Sequence, residues 1–268
     1  MIDIEQISNS VPEGNGYIGN DGLLHCLKCS DQLETILNIP LVGERKVRCI
    51  CRCMAKERDA FEERKRQEER ERNRRTCFAG SMMMSCTFES SQQAELMTLA
   101  ENYAKNFSQF RKEGKGLLFY GEVGTGKSHF AACIANRLID EDRRVLMTNF
   151  STIVNKLQER FEGRQEYIDS LMKYDLLILD DLGAERSTDY MQEQIYNIID
   201  ARYRSGLPMI ITTNLTGNEL KNPSDIGNAR IYDRILEKCH PVKVDGQSIR
   251  RQNLKADFGQ MQMILKGD

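Results

Sequence analysis

The stretch Gly116-Leu117-Leu118-Phe119-Tyr120-Gly121-Glu122-Val123-Gly124-Thr125-Gly126-Lys127-Ser128 decides how the rest of the chain is read. Its first five residues form a short apolar run, as expected of a strand buried on both faces. Its last eight fit G-x-x-x-x-G-K-[ST], and a helix-forming stretch, 129–139, follows at once. Strand, glycine loop and helix in that order make a phosphate cradle. The glycines let successive backbone N–H groups turn toward one anion, and the positive end of the helix points at the same place. Lys127 is expected to reach the β- and γ-phosphates of a nucleoside triphosphate, ATP first among them, and Ser128 to bind Mg²⁺.

A P-loop also needs a carboxylate for the metal. Asp175-Leu176-Leu177-Ile178-Leu179-Asp180-Asp181 supplies a buried strand with two acids at its C-terminal end, where open α/β sheets bind their ligands. Asp180 is the expected Mg²⁺ partner, and Asp181 is placed to orient or deprotonate the attacking water. A third apolar run ends Ile210-Ile211-Thr212-Thr213-Asn214. Asn214 is the expected sensor of the γ-phosphate or the water, with Thr213 second.

Working outward, apolar runs alternate with amphipathic stretches from about residue 95. Strands are expected at 116–120, 144–148, 176–179, 209–213 and 241–244. Helices are expected at 94–107, 127–139, 152–161, 165–173, 190–204 and 228–238. That alternation predicts an α/β fold with a doubly wound parallel five-stranded sheet. Before it, residues 55–76 are nearly all charged and lack Gly and Pro, which predicts a solvated linker helix without a core stripe. Three domains are expected: 1–54, 55–94 as linker and connector, and 95–268.

Residues 1–54 hold five of the nine cysteines: Cys26-Leu27-Lys28-Cys29, then Cys49, Cys51 and Cys53. Four thiolates suit a structural Zn²⁺ site on a ribbon-like hairpin, and so small a domain would need metal to fold. Which three or fewer of the second group serve is open on spacing alone, and His25 is read as a bystander. The remaining four cysteines read as buried thiols. The chain of 268 residues is 40% apolar and 29% charged, with a net charge of −2, so nucleic-acid contact must come from local patches rather than overall charge. No run approaches the length of a membrane span, and the acidic Met1–Glu5 start lacks the order of a signal peptide. A cytoplasmic location with reduced thiols is the expectation.

Taken together, Gly116–Gly121, the loop through His129, Leu177-Ile178-Leu179-Asp180-Asp181-Leu182-Gly183-Ala184-Glu185 and Thr212-Thr213-Asn214-Leu215 resemble the DnaC/DnaI/IstB group of AAA+ ATPases, from about Phe88 onward. The resemblance implies a P-loop AAA+ domain whose nucleotide-binding residues are Gly121, Glu122, Val123, Gly124, Thr125, Gly126, Lys127, Ser128, His129 and Asp180. In the replication members, a small zinc-binding N-terminal domain grips the replicative, DnaB-type helicase, and the ATPase domain binds ATP and single-stranded DNA. The resemblance favours Cys26, Cys29, Cys51 and Cys53 as the zinc ligands, with Cys49 able to replace one. It makes Arg234, then Arg230, the arginine finger that reaches a neighbouring subunit's ATP, and so implies self-association. It makes Arg250 a sensor-2 residue in the same subunit. The expected catalytic set is therefore Lys127, Asp181, Asn214, Arg234 and Arg250.

Two departures stand out. Asp181 occupies a position where many AAA+ proteins carry Glu, which suits a slow switch. Only 18 residues follow Arg250, short of a full helical lid. For single-stranded DNA, the expected track is Lys156, Arg160, Arg164 and Lys173, interleaved with Phe150, Phe161 and Tyr167. The leading expectation is an ATP-dependent loader of the replicative helicase. The alternatives are an IstB-like transposition helper on duplex DNA and a metal-stabilised adaptor whose nucleotide only holds the fold.

Overall fold

Gly19-Asn20-Asp21-Gly22 and the turn from Pro40 to Gly43 separate short strands. The computed structural model describes residues 16–90, 94–160, 162–183, 188–223, 225–246 and 248, with Phe258, Met261 and Leu265. It divides into two units, the division falling between Glu69 and Arg70. In the first, β1 (Gly16–Ile18) pairs antiparallel with β2 (Leu24–Cys26), and β3 (Glu34–Ile39) with β4 (Gly43–Arg48). Their shared core is small: Leu33, Cys26 and Cys51. α1 (Arg52–Phe78) follows, longer at both ends than the expected 55–76. Its charged middle has no buried residue; it is anchored at its C-terminal end by buried Cys77 and Phe78.

The second unit continues with α2 (Ala94–Lys105), α3 (Phe107–Glu113), β5 (Gly116–Tyr120), α4 (Lys127–Asp140), β6 (Val145–Asn149), α5 (Phe150–Gln158) and α6 (Arg164–Leu171). Then come β7 (Leu176–Leu182), α7 (Asp189–Ser205), β8 (Met209–Thr213), α8 (Gly217–Lys221), α9 (Ile226–Lys238) and β9 (Cys239–Lys243). The single helix expected over 94–107 is two helices. The chain breaks at Asn106, whose amide reaches back to the Asn102 carbonyl, and α3 stops at Gly114 in the left-handed conformation. β9 starts at Cys239 rather than 241 because Cys239 pairs with Gly116. Pro241, which has no N–H to donate, is tolerated there because β9 is an edge strand.

The five strands are all parallel, in the order β6-β7-β8-β5-β9. Alternation along each strand sends side chains to two layers. Leu117, Phe119, Leu176, Ile178 and Ile210 pack with α2 and α4. Leu118, Leu177, Leu179, Met209 and Ile211 pack with α5, α6, α7 and α9. Both faces are covered, which is why the strands read as unbroken apolar runs. No described helix is long and apolar enough to cross a membrane.

Candidate functional site

The loop between β5 and α4 is built from backbone conformations that favour glycine. Gly121 and Gly124 have φ of 138° and 84°, where a side chain would be strained. A Cβ at Gly121 would also meet the Val244 carbonyl at 2.5 Å, and one at Gly124 would collide with the Ser248 hydroxyl. The loop closes on itself through Thr125, whose hydroxyl donates to the Glu122 carbonyl at 2.9 Å. Lys127 opens α4 and is almost wholly buried; its ammonium donates to the carbonyls of Gly121 (2.9 Å) and Glu122 (2.6 Å). A cation is thus held over the concave side of the loop, at the positive end of a 14-residue helix. Glu122 and Val123 are exposed at the loop's rim. His129 points along α4 instead, its ring meeting Cys133 at 3.5 Å and Phe130 edge-on, and burial lowers its pKa.

Ser128, next in α4, is close enough to the Asp180 carboxylate to help hold its pKa down, so the hydroxyl and the acid expected to share a metal already lie together. Asp180 faces α4 because it continues the Leu176, Ile178 alternation. Burial raises its pKa, and the hydrogen bond from Thr212 and the nearness of Ser128 oppose that rise. At Asp181 the alternation fails. β7 runs from Leu179 to Leu182 while β8 runs only from Ile211 to Thr213, so one extra residue bulges out. Asp181 takes φ 57° there, and its side chain is exposed. Asn214 is also exposed, just past the end of β8. Thr213, the second choice for a sensor, is fully buried and committed: its hydroxyl donates to the Leu182 carbonyl at 2.6 Å and accepts the Leu215 N–H at 3.1 Å. The residue that sequence reading passed over is Thr212, which donates to Asp180 Oδ1 at 2.6 Å. The alternation Ile210, Thr212 carries the signal, since it puts Thr212 on the face where α4 begins.

The arginines separate. Arg234 is engaged within its own chain: its guanidinium reaches Asp200 at 3.0 Å and the Tyr196 hydroxyl at 2.9 Å, and lies 4.7 Å from the Tyr196 ring centroid. Arg230, one turn earlier, is exposed and has no side-chain partner among the described residues. Arg250 lies outside the described residues, but Ser248, two positions before it, rests against the phosphate loop. Of the proposed DNA track, Lys156, Arg160, Arg164 and Lys173 are exposed. Tyr167 lies under the Arg160 guanidinium at 5.1 Å. Phe150 is corrected: it is fully buried in the core beneath α5 and is not available for stacking. Phe161 lies outside the described residues.

In the first unit, the sulfurs of Cys26, Cys29, Cys51 and Cys53 all lie within 4.8 Å of one another. Two of the separations, Cys26 to Cys53 at 3.5 Å and Cys51 to Cys53 at 3.2 Å, approach the about 3.8 Å between sulfurs around a tetrahedral zinc. The Lys28 N–H donates to Cys26 Sγ at 3.4 Å, and such N–H groups favour the thiolate. The donor set fits a metal. Cys49 is turned away, its thiol donating to the Gln32 carbonyl at 3.3 Å. His25 is held by Asp21 and the Ser30 carbonyl and stacks on Tyr17, outside the sulfur cluster.

With this geometry in view, the comparisons with known proteins are consistent. The model of the family described as IstB-like ATP binding protein matches residues 54–256. The chain is 27% identical over 161 residues to the replicative helicase loader DnaI of Bacillus subtilis (strain 168), covering 56% of this chain and 51% of that protein. It is 26% identical over 162 residues to the replicative helicase loader DnaC of Escherichia coli (strain K12), covering 56% and 63%. The chain therefore spans between half and two thirds of the length of these two relatives. The crystal structure of the DnaC helicase loader superposes with a TM-score of 0.54 at 23% identity, over 62% of this chain and 100% of that one. The crystal structure of DnaI gives 0.51 at 24%, over 62% and 91%. At these identities the structural likeness is one of fold.

Proposed function

The chain belongs to the family of IstB-like ATP binding proteins, and from that premise we propose that it is an ATP-dependent replication protein that places a replicative DnaB-type helicase on single-stranded DNA. The observation that carries the nucleotide part is the convergence of Lys127, Ser128 and Asp180 at the mouth of the glycine loop. The loop amides would grip the phosphates, Lys127 would bridge the β- and γ-phosphates, and Ser128 and Asp180 would hold Mg²⁺. Bound there, magnesium would neutralise charge on the transferring phosphoryl group. Asp181 would orient the attacking water from its bulge, and Asn214 would report the γ-phosphate. For the finger that reaches a neighbouring subunit's ATP, Arg230 suits better than Arg234, because it is exposed and has no side-chain partner among the described residues, whereas Arg234 is held by Asp200 and Tyr196. Arg250 remains our candidate for sensor 2.

Cys26, Cys29, Cys51 and Cys53 would hold Zn²⁺ and fold the first unit around it. That unit exposes Ile36, Leu37, Leu41 and Val42 on the β3–β4 hairpin, apolar area that a helicase surface would cover. The resemblance to proteins named helicase loaders supports this partner. Lys156, Arg160, Arg164 and Lys173 would track the DNA backbone. Pull-down of a replicative helicase by the full chain, with ATPase activity stimulated by single-stranded DNA, is the test. A protein that binds no helicase and is stimulated only by duplex DNA would favour the second reading, an IstB-like transposition helper, to which the matching family description points.

A further inference from the structure

β8 lies between β7, which carries the acids, and β5, which feeds the phosphate loop. One residue of β8 touches both consecutive acids. The Thr212 hydroxyl donates to Asp180 Oδ1 at 2.6 Å and accepts the backbone N–H of Asp181 at 2.9 Å. The side chain is fully buried, so no bulk water competes for either bond. A hydroxyl has one proton to give. Here that proton is committed to Asp180, and a lone pair is committed to Asp181.

The two bonds do different work. The first fixes the rotation of the Asp180 carboxylate. The second satisfies an N–H that the bulge removes from the β7–β8 ladder. That N–H belongs to a residue at φ 57°, a left-handed conformation that Asp adopts more readily than most residues with a Cβ but that takes it out of the strand. A single oxygen atom is therefore bonded to the side chain of one acid and to the backbone of the next.

We propose that Thr212 is a positioning residue for ATP hydrolysis, which sets the spacing between Asp180 and Asp181 by anchoring one through its side chain and the other through its backbone. The inference rests on the nucleotide reading above. Thr212 does not reach the phosphates itself. The grip of the loop amides and Lys127 on a nucleotide does not pass through it, and its loss falls on the step that needs both acids.

The test compares the full chain carrying T212V, T212S or T212A with the unaltered protein. Binding of a fluorescent ATP analogue in EDTA reads the loop alone; steady-state hydrolysis against ATP and against Mg²⁺ reads the acids. T212V is expected to leave metal-free nucleotide affinity unchanged and to lower kcat roughly tenfold to a hundredfold, the effect of one hydrogen bond to a charged group. It should also raise the Mg²⁺ needed for half-maximal activity. T212S, which keeps the hydroxyl and loses only a methyl, should restore kcat to within about threefold. Wild-type kcat and Mg²⁺ dependence in T212V would overturn the inference. So would T212S being as impaired as T212A, a comparison that stands even if T212V does not fold. Absence of ATP binding by the unaltered protein would instead overturn the nucleotide reading beneath it.

Discussion

Lys127 keeps only 5% of its surface exposed and still has its ammonium within reach of the loop's concave side. Its charge is held by carbonyl oxygens of Gly121 and Glu122, which phosphate oxygens would replace. Lys127→Ala is expected to cost nucleotide affinity at least about tenfold, read by titration calorimetry, because a charge-assisted contact is lost while the fold is not. Asp181→Asn should separate the two steps: binding stays near wild type, and hydrolysis falls by about a hundredfold or more, as loss of a general base predicts. A different residue governs stability. Arg202 is fully buried, and its guanidinium donates to the carbonyls of Pro208, Tyr174 and Asp175, at the starts of β7 and β8. Burial pulls its pKa down to about 10, so it stays charged at neutral pH. Arg202→Met would leave three carbonyls without their donors and should lower unfolding stability by about 3 kcal/mol, measured in urea.

At the scale of elements, the C-terminal turns of α1 are tied to α4 by a polar network beside the buried Cys77 and Phe78. Arg74 donates to Asn136 Oδ1 at 3.0 Å, and Asn136 Nδ2 donates in turn to the carbonyls of Met83 and Cys86, both at 3.0 Å. Arg70 adds an ion pair to Asp142 at 2.7 Å. Asn136 thus closes three bonds in a nearly buried position. Asn136→Leu is expected to cost about 2 kcal/mol and to free the 82–86 connector, seen as faster amide exchange there. None of this was legible in the sequence, where Asn136 is one polar residue in an apolar helix and the charged run 55–76 gives no sign of where it docks. The bulge in β7 is similar. Asp180-Asp181 reads as two acids ending a strand, and only the β8 partner, two residues long where β7 spends three, shows that the second acid leaves the alternation.

At the scale of the molecule, the two units rest on different physics. The second closes two apolar layers around a parallel sheet. Among its described residues the first buries little more than Leu23, Leu33 and two cysteines, too small a core to fold on apolar area alone. A strong chelator should therefore abolish one thermal transition and leave the other in place, and metal analysis should return about one zinc per chain; a single unchanged transition with no zinc would count against the site. The sequence by itself determined the sheet, the phosphate loop, the acid strand and a group of five cysteines able to supply four sulfurs, because each depends on local periodicity or on spacing along the chain. Only the tertiary structure decided that Thr212 bonds to both acids, that Phe150 is core, that Cys49 turns away and that Arg234 is occupied while Arg230 has no side-chain partner among the described residues. Those outcomes depend on which strand or helix lies alongside, and partners across a sheet or between helices leave no mark in the order of residues.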